Sequence, residues 1–136
     1  GATNIVYNDQ YITDITNLKS SYLKGQKPQV RVFVRKKDWN PNLYTVSQAA
    51  VPAEIINSGY YRVFRTIDNE DIISYGTGSY NATKMSYDVS GNYFELDTSF
   101  LDAGYSYGIK FAYYKQGQYR EQPEVFKFRV TDEESP

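Results

Sequence analysis

Residues 92–114, NYFELDTSFLDAGYSYGIKFAYY, decide how the rest of the chain is read. Tyr93, Glu95 and Asp97 alternate with Phe94, Leu96 and Thr98. After a corner, Tyr105, Tyr107, Ile109, Phe111 and Tyr113 repeat every second residue. Side chains of a strand point alternately to its two faces, so each half reads as a half-buried β-strand. The stretch is therefore a strand, a tight corner and a second strand.

The corner holds Leu101, Gly104 and Tyr107 in the spacing L-x-x-G-x-x-Y. It resembles the tyrosine corner of fibronectin type III and immunoglobulin-like sandwiches. That resemblance implies a Leu in the core, a Gly in a tight turn and a Tyr hydroxyl bonded back to the backbone.

Elsewhere the same period recurs. Residues 29–37 (QVRVFVRKK) place Val30, Val32 and Val34 inward, with Arg31, Phe33 and Arg35 outward. Residues 59–67 (GYYRVFRTI) form a strand that turns at Asp68, Asn69 and Glu70 into 71–76. Residues 84–89 form another. Lys115 to Gln118 close a hairpin into a last strand over 124–130, with Phe126, Phe128 and Val130 on one face. Residues 14–22 (DITNLKSSY) read as a first edge strand, and Leu43 to Val46 as a strand candidate interrupted beyond by Pro52. Turn signals about every 8 to 12 residues predict an all-β, two-sheet antiparallel sandwich of about 7 to 9 strands. The expected organisation is a leader or linker at 1–13, the sandwich at 14–131 and an acidic disordered tail at 132–136. Gly1 and Ala2 read as a cloning remnant and Met85 is the single methionine, so the chain reads as a domain cut from a longer protein.

Composition bounds the function. A chain of 136 residues buries roughly two-thirds of its unfolded surface, enough for a core without staples. Cysteine and histidine are both absent, so no disulfides are expected. The commonest general base and metal ligand is missing too, which lowers the case for an enzyme, a cofactor or a metal. A net charge of −1 argues against nucleic acid and membrane surfaces as partners, and no apolar run approaches the length of a bilayer span.

Several patterns imitate chemistry. Asp68, Glu70 and Asp71 have the density of a calcium loop but lack its glycine and distal glutamate, and read as a solvated hairpin turn. Glu95 and Asp97 have the spacing of a carboxylate pair along a strand without a cleft. Gly76 and Gly78 lack the lysine and helix of a phosphate loop. Asn81 and Thr83 match a glycosylation triplet without a secretory context. None is taken as a site. Seven basic residues and no acid lie between Asp14 and Asp38; they read either as a strip for nucleic acid or an acidic partner or, the favoured reading, as solvated faces that blunt a sheet edge. The aromatic residues carry more. Trp39, Tyr44, Tyr60, Tyr75, Tyr80, Tyr114 and Tyr119, with Tyr61, are too many for the core, and alternation forces Tyr60 and Tyr61 onto opposite faces. Exposed rings of this kind stack on sugars or anchor a protein interface.

Four stretches carry a second resemblance: 35–46 (RKKDWNPNLYTV), 75–78 (YGTG), 86–97 (SYDVSGNYFELD) and 121–130 (EQPEVFKFRV). Together they resemble structural proteins of marine T4-like phages, cyanophages among them. The resemblance implies a place in the virion, in tail, baseplate or neck, and a non-catalytic Ig-like module that assembles with other virion proteins, with copies of itself, or decorates the particle. The alternative is a carbohydrate-binding module that grips a host-surface glycan through exposed Tyr and Trp.

Overall fold

The computed structural model describes residues 10–37, 53–76 and 82–132. Among the described residues ten strands are formed: β1 (Tyr11–Ile15), β2 (Ser21–Leu23), β3 (Gln29–Lys36), β4 (Gly59–Arg65), β5 (Glu70–Ile73), β6 (Ser86–Asp88), β7 (Gly91–Glu95), β8 (Ser106–Lys115), β9 (Gln118–Glu121) and β10 (Phe126–Thr131). One 3₁₀ turn, Thr98–Phe100, follows β7. The strands make two facing sheets, an all-β sandwich. One sheet has the order β1-β3-β7-β6. The other runs β2-β10-β8-β4-β5, with β9 also on β8. The pairings are antiparallel except β2 with β10, which run parallel.

The alternation read from the sequence sets the core. Val30, Val32 and Val34 of β3 face Val63 of β4 and Tyr107, Ile109, Phe111 and Tyr113 of β8, all nearly solvent-free. Phe94 of β7 joins the layers: its ring stacks on Tyr61 at 4.0 Å and meets Phe111 edge-on at 6.1 Å. Each such side chain contributes about 1.5–3 kcal/mol by leaving water. The corner forms as its residues imply. Leu101 is fully buried, Gly104 takes a φ of 94° that disfavours other residues, and the Tyr107 hydroxyl donates to the Asp102 carbonyl at 2.8 Å.

Several boundaries differ from expectation. β1 begins at Tyr11, inside the expected leader, with Tyr11 and Thr13 buried. Residues 14–22 do not form one strand. The Asn17 side chain donates to the Gln29 carbonyl and accepts from the Arg31 N–H, replacing the ladder and ending β1. The chain then crosses, and β2 joins the other sheet. The expected strand at 71–76 stops at Ile73, and that at 84–89 contracts to β6 because Lys84 bridges instead to Tyr60 in the opposite sheet. Tyr105, expected inward, precedes β8 and is exposed, with Arg65 over its ring at 5.2 Å. The strand β9 was not anticipated. Gln116 and Gly117 have φ values of 54° and 83°, the paired positive values of a tight hairpin turn, and they fold β9 back on β8. The strand candidate at Leu43 to Val46 lies outside the described residues.

Candidate binding site

The outer face of the larger sheet is built by the register of three hairpin strands. Ala112 of β8 lies between Tyr60 of β4 and Glu121 of β9. Lys110 lies beside Arg62, and Tyr114 beside Tyr119. Because side chains on one face recur every two residues, Tyr60 and Arg62, Lys110, Ala112 and Tyr114, and Tyr119 and Glu121 all point away from the core. Tyr75 arrives from beyond β5. Its position is fixed by the next residue: Gly76 N–H donates to Thr83 Oγ1 at 2.9 Å, and Thr83 N–H donates to the Gly76 carbonyl at 3.1 Å. The buried Thr83 in turn holds Tyr61 N–H through its carbonyl. The threonine of the glycosylation triplet is thus a strut of this face.

These residues enclose a half-open hollow of about 440 Å³, lined by Tyr60, Tyr75, Gly76, Ala112, Tyr119 and Glu121. Tyr119 meets Tyr60 edge-to-face at 5.6 Å and Tyr114 at 4.7 Å. Tyr60 is thereby covered, while Tyr114 and Tyr119 stay 44% and 55% exposed. Small Ala112 leaves the room between the rings.

One ionic network organises the polar side. Glu121 Oε2 accepts from the Tyr75 hydroxyl at 2.7 Å and from Arg62 Nε at 2.8 Å, and Glu121 Oε1 lies 3.4 Å from Lys110 Nζ. Arg62 also donates to Asp71 at 2.7 Å, and its guanidinium lies 5.9 Å from the Tyr75 ring. The Arg62 hydrogen bond, aided by Tyr75 and Lys110, holds the Glu121 carboxyl down to about 2. Burial, then the bond to Glu121, pushes the Tyr75 hydroxyl well above its ordinary range, so it remains a neutral donor.

Of the aromatic residues singled out in the sequence, Tyr60, Tyr75 and Tyr119 line the hollow and Tyr114 extends it. Trp39, Tyr44 and Tyr80 lie outside the described residues. Tyr61 points into the core. Glu121, Arg62 and Ala112 were missed. The Gln116–Gly117 turn was the available signal: it sets Tyr119 opposite Tyr114 and Glu121 opposite Ala112.

The other sequence patterns are used structurally. Arg65 bonds both Asp68 and Glu70, and Asp71 belongs to Arg62. Asp97 caps the 3₁₀ turn by accepting from Ser99 N–H and Oγ, whereas Glu95 is exposed. Among the described residues, three of the seven basic residues of the strip pair with acids: Arg31 grips Asp88 at 2.8 and 3.0 Å, Lys27 lies 3.9 Å from Asp97, and Lys36 lies 3.9 Å from Glu54.

Comparison with family models, curated proteins and solved structures found no match to this chain.

Proposed function

We propose that the chain is a non-catalytic, immunoglobulin-like recognition module of a virion structural protein from a T4-like phage, carried in tail, baseplate or neck. The sheet orders β1-β3-β7-β6 and β10-β8-β4-β5, together with the tyrosine corner, support the immunoglobulin-like assignment. The phage assignment rests on the sequence resemblance alone. The observation that carries a binding role is the aromatic hollow on rigid strands: four of the singled-out tyrosines converge there. The carboxylate in the hollow is already committed to Arg62, Tyr75 and Lys110. A general acid–base group needs a proton to exchange near neutral pH, and Glu121 is held ionised far below it.

The sequence ranks a contact with neighbouring virion proteins first and a glycan second. The concave shape favours the reverse order, because protein interfaces are broad and flat whereas small polar ligands enter hollows of this size. Repeated copies in a particle would raise a weak single contact through avidity. Immunogold electron microscopy with antibody against this domain tests the placement. Label at a fixed, outward position on intact phage particles is expected. Label on disrupted particles only would favour a buried assembly contact, and no label on either would remove the virion reading.

A further inference from the structure

The chemistry of the hollow restricts its occupant further. Two cations, Arg62 and Lys110, stand against two carboxylates, Glu121 and Asp71, within 2.7 to 3.4 Å. The four formal charges cancel. A cationic ligand would have to displace Arg62 or Lys110 from Glu121, and an anionic ligand would have to approach an ionised carboxylate. The first loses an existing pairing and the second meets like-charge repulsion. A wholly apolar ligand would offer nothing to the Glu121 carboxylate that lines the hollow, whose Oε1 is the under-used oxygen: its contacts from Lys110 Nζ and Arg62 Nη2 are both 3.4 Å, long for charge-assisted bonds. It retains capacity for a further donor.

A neutral ligand with one C–H face and hydroxyl donors along its edge satisfies all of these conditions. We propose that the hollow formed by Tyr60, Tyr75, Ala112, Tyr119 and Glu121 is a subsite for one pyranose unit of a neutral glycan. This rests on the reading of the chain as a recognition module and names what it recognises. The rings of Tyr75 and Tyr119 pack on the sugar's C–H face. Glu121 Oε1 accepts from a sugar hydroxyl, and the Tyr75 hydroxyl, spent as a donor on Glu121, accepts a second one. Ala112 supplies the clearance. The half-exposed ring of Tyr114 stands 4.7 Å from that of Tyr119, a second surface onto which a neighbouring sugar unit would pack.

The test is an NMR titration of the domain with methyl glycosides of glucose, galactose, mannose, rhamnose, N-acetylglucosamine and N-acetylgalactosamine. Tetramethylammonium chloride and inorganic phosphate serve as charged probes. At least one neutral glycoside is expected to bind with a Kd of about 1–10 mM, the range of a single shallow subsite. Tyr119→Ala, at an exposed ring, should weaken it at least tenfold with little change in melting temperature, and Ala112→Leu, which fills the hollow from a residue that lines it, should weaken it at least as much while the domain stays folded. Saturation by neither charged probe is expected. The inference is overturned if no glycoside binds at about 50 mM, if Ala112→Leu leaves binding intact, or if tetramethylammonium or phosphate gives the stronger shifts. If glycosides fail while Tyr119→Ala still abolishes capture of a virion protein from disrupted particles, the glycan is wrong and the recognition module stands.

Discussion

At the scale of single residues, one hydroxyl and one carboxylate show how fold and site are separately secured. The Tyr107 ring is buried between the sheets, and its hydroxyl crosses the corner to the Asp102 carbonyl at 2.8 Å. Removing only that oxygen deletes one hydrogen bond without opening a cavity. Tyr107→Phe should therefore cost about 1 kcal/mol in urea denaturation, and unchanged stability would deny the corner its part. Glu121 behaves differently because it titrates. Its folded-state pKa lies near 2, below the ordinary 4.5, so the unfolded chain takes up the proton first as pH falls. Its stabilising contribution is complete above about 4.5 and disappears as pH drops toward about 2. Partial exposure keeps the effect modest. Glu121→Gln should lower the melting temperature at neutral pH, and the gap from wild type should close through that acid window. A gap independent of pH would contradict the network.

At the scale of elements, what the sequence made legible follows from burial. β3 and β10 alternate between buried and more exposed residues, and the apolar period of β8 holds from Tyr107 to Tyr113, although Gly108 and Ala112 on its other face are buried too and Tyr105 falls outside it. β9 has no apolar face: all four of its residues are exposed. Its existence depends on a two-residue turn and on the edge of β8, neither of which leaves a periodic mark. The site was half legible for the same reason. Surplus tyrosines announced an outward aromatic surface, but pairing them with Glu121 and Arg62 required the register of β9 on β8 and of β4 on β8. Asn92 is a comparable case. A polar residue at the start of β7, it is fully buried, accepts from Ile56 N–H, and donates to the carbonyls of Ile56 and Ser86. It thereby ties the segment entering β4 to β6 and β7 of the opposite sheet. Asn92→Ala strands buried backbone groups and should cost at least about 2 kcal/mol, read as a fall in the urea midpoint. A loss below that of Tyr107→Phe would show that the tie is dispensable.

At the scale of the whole molecule, the two outer faces have different characters. The four-stranded sheet presents Arg31 locked to Asp88 and lying 5.0 Å from the Tyr93 ring, a closed pairing of charges at the surface. The larger sheet presents a hollow whose walls are aromatic and whose charges cancel. The sandwich holds this second face rigid because β4 and β8, which carry most of it, are the same strands whose other side chains fill the core. The proposed recognition role therefore falls to this one face of the molecule. The measurement is an NMR footprint with ring-labelled tyrosine, taken as polysaccharide from the surface of a susceptible host is added. Shifts are expected at Tyr60, Tyr75, Tyr114 and Tyr119, with Tyr87 and Tyr93 of the opposite sheet unmoved. Shifts centred on Tyr87 and Tyr93, or none at the hollow, would contradict it.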